Sequence, residues 1–219
     1  MYILFDIDDT LFPSTEFSAL ARKNALNAMI GMGLDSDYET LNSKLTAIIQ
    51  KKGPNYQGHF DDLCAELKIK EPGRFIAAAV AAYHDTKTAI QPFPKAPLAL
   101  LTLREKGFKL YVATNGNSIK QWDKLIRLRL ALYFEGVFVS EELGREKDVE
   151  FYRKILKLLK AKPEECIMVG DKEEADIAPP KALAMKTVRV LSGKYAAVPS
   201  KADFVVKDIG ELIRIVERL

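Results

Sequence analysis

The chain has 219 residues, 48% of them hydrophobic, enough for one large domain or a core with a small second one. Its 33 Lys and Arg against 30 Asp and Glu leave a formal charge of +3, too near balance to point to nucleic acid or an acidic membrane surface. The two cysteines, Cys64 and Cys166, are too few for a disulfide framework, and no apolar run approaches the ~18 residues that cross a bilayer.

The first predicted strand, Tyr2-Ile3-Leu4-Phe5, leads straight into Asp6-Ile7-Asp8-Asp9-Thr10. It begins at residue 2, leaving no room for a signal peptide, and the expected location is the cytoplasm. Carboxylates about 4 Å apart at an effective dielectric of ~20 repel by ~4 kcal/mol, so this acidic turn calls for a metal, a proton or a basic partner. Alternation along a strand sends Asp6 and Asp8 to one side and Asp9 to the other. One carboxylate can then attack an electrophile while the second protonates the leaving group. Asp9 or Thr10 could instead simply cap the turn.

No strand is evident between Ser14 and Phe93. Phe17, Leu20, Ala21, Ala25, Ala28, Met29 and Met32 mark a helical stripe ending at Gly33, and Ser36-Asp37-Tyr38-Glu39 reads as a capping box for a second helix. Further helices are expected over His59–Lys68 and Gly73–Asp85, and Gln91-Pro92-Phe93-Pro94 forms a stiff connector. Residues 14–92 are thus expected to form a helical insert, with residues 1–13 and 93–219 as the core domain. Phe12, Asn55, Tyr56 and His59 are candidates for substrate selection.

Beyond the insert, strands alternate with helices. A helix over Pro94–Lys106 precedes the strand Phe108–Ala113, which runs into Thr114-Asn115-Gly116, a hydroxyl and an amide able to donate to an anionic oxygen. A helix over Asn117–Leu132 follows. Gly136–Ser140 is a strand, and Lys147 stands in the polar segment after it. Val149–Leu159 is a helix whose basic residues Arg153, Lys154, Lys157, Lys160 and Lys162 read as a solvated face. Cys166–Val169 then meets Gly170-Asp171, with Asp176 further on; hard oxygen ligands of this kind suit Mg²⁺. Strands over Lys186–Val190 and Phe204–Val206 follow, and Asp208–Glu211 opens a last helix. Short, continuously apolar strands separated by helices indicate an α/β fold with a doubly wound parallel sheet, where ligands bind beyond the carboxyl ends of strands.

Asp6-x-Asp8-x-Thr10, Thr114-Asn115, Lys147 and Gly170-Asp171-x-x-x-x-Asp176, in that order, resemble the motifs of the haloacid dehalogenase (HAD) superfamily of hydrolases. The resemblance runs from Tyr2 to about Val190 and implies a Rossmann-like core with a helical, C1-type cap. It further implies a Mg²⁺-dependent phosphatase working through an aspartyl-phosphate on a small phosphorylated metabolite. Asp6 would be the nucleophile and Asp8 the acid/base, while Thr114, Asn115 and Lys147 would bind the phosphate. Asp6, the Asp8 backbone carbonyl and Asp171 would ligate the metal, with Asp176 behind them. Hydrolysis of phosphate monoesters needs rate gains of up to ~10²¹, which such neutralisation of charge serves.

The chain departs from the family pattern at Asp148, where a proline is common, and Arg145 is a rival for the role of Lys147. Pro179-Pro180 is expected to shift the helix start after Asp176. A 2-haloacid dehalogenase needs neither metal nor second acid, so Asp8, Asp171 and Asp176 favour phosphoryl transfer. A phosphomutase would use identical chemistry, and a signalling receiver domain would place its aspartate after a later strand. No nucleic-acid or membrane partner is expected.

Overall fold

The computed structural model describes residues 1–54 and 56–218; Asn55, one of the substrate-selection candidates, lies outside the described residues. The chain divides into two compact units, residues 1–15 with 90–219 and residues 16–89.

The first unit is built on a six-stranded sheet. Its strands are β1 (Tyr2–Phe5), β2 (Lys109–Thr114), β3 (Gly136–Val139), β4 (Cys166–Gly170), β5 (Lys186–Val190) and β6 (Phe204–Val206), in the spatial order β3-β2-β1-β4-β5-β6. Every pairing is parallel. Parallel sheets are covered on both faces, which is why all five residues of β4 are buried and why its sequence is continuously apolar. Order reverses at β1, the first and central strand, so a crevice opens where the connections diverge.

Among the described residues six helices belong wholly to this unit: α5 (Ala96–Glu105), α6 (Ser118–Arg127), α7 (Ser140–Leu143), α8 (Val149–Leu159), α9 (Ala178–Ala182) and α10 (Leu212–Val216). Helix α8 buries Phe151, Tyr152, Ile155 and Leu156 beside Leu4, Ala113 and Met168 of the sheet. Each such side chain contributes roughly 1.5–3 kcal/mol of transfer free energy. The basic residues Arg153, Lys154, Lys157, Lys160 and Lys162 are exposed, as a solvated face requires. Asp148, standing where a proline was expected, caps α8 by accepting a hydrogen bond from Phe151 N at 2.8 Å.

Several boundaries differ from the sequence expectation. The helix after Asn117 stops at Arg127 rather than Leu132, because Arg129 takes a left-handed φ of 57° and a short 3₁₀ turn covers Ala131–Tyr133. After Asp171 the chain forms a π-helical turn over Glu173–Ile177 before α9 begins at Ala178. With Pro179 and Pro180 in the first turn of α9, their missing N–H groups fall where none is needed.

The second unit comprises α1 (Ser14–Gly31, entering from the first unit), α2 (Tyr38–Lys52), α3 (His59–Glu66) and α4 (Gly73–Thr88). Ala25, Leu26, Met29, Leu41, Leu45, Ile48, Leu63, Cys64, Phe75 and Ala79 form its core. The α1 stripe is rotated from the expected one: Leu26 is buried, whereas Leu20 and Met32 are 47% and 48% exposed. The cap of α2 is Asp37, not Ser36; its carboxylate accepts from Thr40 N at 2.7 Å. Cys64 and Cys166 are free and buried. Among the described residues no helix is long and apolar enough to cross a membrane.

Candidate active site

Parallel strands deliver the residues that follow them to one edge of the sheet. Phe5 lies opposite Val112 of β2 and Val169 of β4, so Asp6, Thr114 and Asp171 emerge from neighbouring strands. Asp6 N donates to Val169 O at 2.9 Å, extending the ladder one residue past β1 and fixing the direction of the Asp6 side chain.

At the centre is a buried lysine. Lys147 Nζ donates to Asp6 Oδ1 at 2.7 Å, to Asp176 Oδ1 at 2.5 Å and to Ala113 O at 3.3 Å, satisfying its donors at 6% exposure. Its backbone N–H donates to Asn115 Oδ1 at 2.9 Å, so the β2 loop holds the lysine in register. Burial works against the Lys147 ammonium, but Asp176 and then Asp6 outweigh it and hold the amine well above its ordinary value. Arg145, the rival cation, is engaged elsewhere: its guanidinium pairs with Asp148 at 2.5 Å.

Asp176 is placed by the π-turn. Its Oδ2 accepts from Lys172 N at 3.0 Å, its own N–H donates to Lys172 O at 2.7 Å, and Tyr152 OH braces the turn by donating to Ala175 O at 2.8 Å. Gly170 is required at this point, because a Cβ there would fall on the Asp176 carboxyl group.

Asp171 completes a group of three. Carboxylate oxygens of Asp6, Asp171 and Asp176, all buried, lie within 4.8 Å of one another. One ammonium cannot neutralise three acids. Asp171 is pushed up to about 8, chiefly by burial and then by Asp6 and Asp176, and Asp6 is pushed up to about 6, chiefly by burial against the opposing pull of Lys147. A dry cluster of hard oxygen donors with surplus negative charge fits a divalent cation such as Mg²⁺.

Asp8 stands outside this group. Both its carboxylate oxygens accept from Lys124 Nζ of α6 at 2.7 Å. Lys124 also donates to Gln121 Oε1 at 3.2 Å, and Gln121 Nε2 donates to Asn115 O at 2.9 Å. β1 ends at Phe5, so strand alternation does not govern Asp8 and Asp9, and Asp9 turns to partners of its own. It adopts a φ of 53° and its carboxylate accepts from Thr15 N at 2.9 Å and Thr15 Oγ1 at 2.5 Å, a local turn role. Thr10 and Thr114 are buried. Of the substrate-selection candidates, Phe12 is 4% exposed and packs as core, while the His59 ring meets Gly53 O at 3.0 Å and stacks edge-on with Tyr56.

Three residues escaped the sequence reading: Gln121, Lys124 and Arg189. The Arg189 side chain is fully buried in β5; it donates to Asp171 O at 3.0 Å, Tyr195 O at 2.6 Å, Pro199 O at 3.1 Å and Glu173 Oε2 at 3.1 Å. A charge inside the run Thr187-Val188-Arg189-Val190 is its sequence signal, since arginine is almost never fully buried unless paired. Nothing in the sequence separates Lys124 from the surface lysines around it.

The model of the haloacid dehalogenase-like hydrolases matches residues 1–183. The chain belongs to this family. Glyceraldehyde 3-phosphate phosphatase of Methanocaldococcus jannaschii is 42% identical across 99% of this chain and 97% of its own length. The enzyme of the same name from Pyrococcus furiosus is 39% identical across 99% and 92%. Among solved structures, the magnesium-bound HAD hydrolase YfnB of Bacillus subtilis superposes with a TM-score of 0.72 over 99% of this chain and 98% of its own, at 22% identity, which speaks to the fold. Within the family, this chain is an enzyme of the phosphatase type, a phosphoric monoester hydrolase.

Proposed function

We propose that this enzyme is a Mg²⁺-dependent phosphatase of small sugar phosphates, with glyceraldehyde 3-phosphate as its foremost substrate, working through an aspartyl-phosphate on Asp6. The observation that carries the mechanism is the buried Asp6–Lys147–Asp176 cluster with Asp171 alongside. The substrate rests on similarity across nearly full length to phosphatases named for that triose phosphate.

In the first step an Asp6 oxygen attacks phosphorus and the ester P–O bond breaks, the departing oxygen taking a proton from Asp8. In the second, Asp8 accepts a proton from water as the water oxygen attacks the acyl phosphate, releasing phosphate and restoring Asp6. Lys147 neutralises charge on Asp6 and on the phosphoryl group. Asn115 has its Oδ1 committed to Lys147 N, so its Nδ2 is the group that donates to a phosphoryl oxygen, beside the Thr114 hydroxyl. Asp6, Asp171 and the Asp8 backbone carbonyl would hold Mg²⁺, with Asp176 in support through Lys147. The ion would offset phosphoryl charge as the anion approaches. Residues 16–89 are assigned the substrate-selecting role of a helical cap.

The test is phosphate release from a panel of metabolite phosphates with and without EDTA, for the wild type and Asp6→Asn. Glyceraldehyde 3-phosphate is expected to lead the panel, and chelation and the substitution are each expected to stop turnover. Metal-independent halide release from a 2-haloacid, with no phosphate ester hydrolysed, would overturn the proposal.

A further inference from the structure

Resting on the reading of Asp8 as acid/base, we infer that Lys124 and Gln121 of α6 are positioning residues that aim the Asp8 carboxylate at the leaving oxygen. An acid/base group works through its geometry first, and a misplacement of about 1 Å can cost on the order of 10²-fold in rate. Asp8 lies past the end of β1 on a turn tied by an isolated bridge between Asp8 and Phe12 and by the Asp9 N–H, which donates to Phe12 O at 3.0 Å. Backbone bonds of that turn do not fix a side chain.

Lys124 does. Its Nζ reaches both Asp8 oxygens at 2.7 Å across 116 residues of sequence and sits 5.9 Å from the centroid of the Phe12 ring. Two equal contacts hold both carboxylate oxygens at one distance from the ammonium and so restrict rotation of the Asp8 side chain. The lysine is itself restrained: Gln121, 5% exposed, accepts from it and donates to Asn115 O. Gly116, with a φ of +123°, permits this close approach, since a Cβ there would lie 2.6 Å from Gln121 Nε2. A continuous path therefore runs from the Asn115 backbone through Gln121 and Lys124 to Asp8. It sets the acid/base carboxylate in register with the loop assigned to the phosphoryl group.

Stability gives no sufficient reason for the pair. The side chains of Lys124 and Asp8 are 26% and 39% exposed, and ion pairs that wet add little to stability. The burial of Gln121 beneath them and the bidentate geometry are what a positioning device needs.

The experiment measures kcat and KM for wild type, Lys124→Met, Lys124→Arg, Gln121→Met, Asp8→Asn and the double variant Asp8→Asn/Lys124→Met, with an alkyl phosphate and with p-nitrophenyl phosphate, whose leaving group needs little protonation. Lys124→Met is expected to lower kcat on the alkyl ester by roughly 10- to 100-fold with KM nearly unchanged, to affect the aryl ester less, and to leave the thermal midpoint within a few degrees. Lys124→Arg should recover part of the loss, Gln121→Met should show a smaller defect of the same kind, and Lys124→Met should add nothing once Asp8 is Asn. Equal losses on both esters, an undiminished loss in the Asp8→Asn background, or a faster Lys124→Met enzyme would each overturn the inference alone. Full alkyl-ester turnover by Asp8→Asn would overturn the acid/base reading and this inference with it.

Discussion

Lys147 Nζ lies 2.7 Å from Asp6 Oδ1, although 141 residues separate the two in sequence, and the contact is almost fully dry, with side-chain exposures of 3% and 9%. A charge so placed is tolerable only while its partners remain. Replacing Lys147 with Met would leave Asp6 and Asp176 facing each other without a cation, a change that costs about 3–5 kcal/mol in buried pairs. The thermal midpoint of the metal-free protein is expected to fall by roughly 6–20 °C, at about 2–4 °C per kcal/mol for a chain of this size, and phosphatase activity to vanish. A calorimetric scan with the midpoint unmoved would mean that the lysine is not what holds this cluster together.

The surplus of acids predicts an opposite response at Asp171. Changing it to Asn removes one of three mutually repelling carboxylates, so the EDTA-treated variant should melt higher than the EDTA-treated wild type. Added Mg²⁺ should stabilise the wild type by RT ln(1 + [Mg²⁺]/Kd), about 2.7 kcal/mol at a hundredfold excess over Kd, and the variant far less. Paired scans with and without metal check this, and an equal magnesium response in both proteins would contradict it.

Gly170→Ala places a methyl group where the Asp176 carboxyl now sits, and the obstacle is a side chain locked by Lys147 and by Lys172 N. Overpacking of this sort costs about 1–3 kcal/mol. Urea unfolding should report that loss, with turnover reduced because Asp176 must move and Lys147 with it. A variant as stable and active as the parent would show that the turn yields freely.

Arg189 joins the Asp171 loop to the segment carrying Tyr195, Pro199 and Ser200, the last donating to Glu173 Oε2 at 2.9 Å. Arg189→Met takes a buried donor from three carbonyl acceptors and the cation from Glu173, which keeps only Ser200 and Lys201 N as donors, with a cost of about 3–5 kcal/mol expected. Hydrogen exchange should accelerate across residues 191–203 before it does elsewhere in the sheet. Uniform exchange would place the Arg189 contribution in β5 alone.

Part of the site is legible along the chain because Asp6 and Asp171 each directly follow an apolar strand, whereas Asp8 and Asp176 lie in the turns beyond. Tyr2–Phe5 announces Asp6, Cys166–Val169 announces Asp171, and Phe108–Ala113 announces Thr114 and Asn115; in a parallel sheet those positions meet at one edge by topology alone. Element boundaries are less legible, and so is the place of Phe12, which the sequence puts at the mouth and the fold buries. The choice of Ser36 over Asp37 as cap, the length of α6 and the orientation of the α1 stripe all turn on a single residue or one turn of helix, where several side chains satisfy the same rule and packing picks one.

The order of apolar strands and helices, and the acids at the strand ends, are properties of the linear chain, since burial on both faces of a parallel sheet demands continuous apolar runs and an acid that ends one stands out against it. The choice of Lys147 over Arg145, the partnership of Asp8 with Lys124 through Gln121, and the anchoring of the Asp171 loop by Arg189 were decided only by the fold. A charged side chain carries no mark of its partner until folding removes water from around it. Desolvation then makes one pairing, out of many that are equivalent in water, the one that persists.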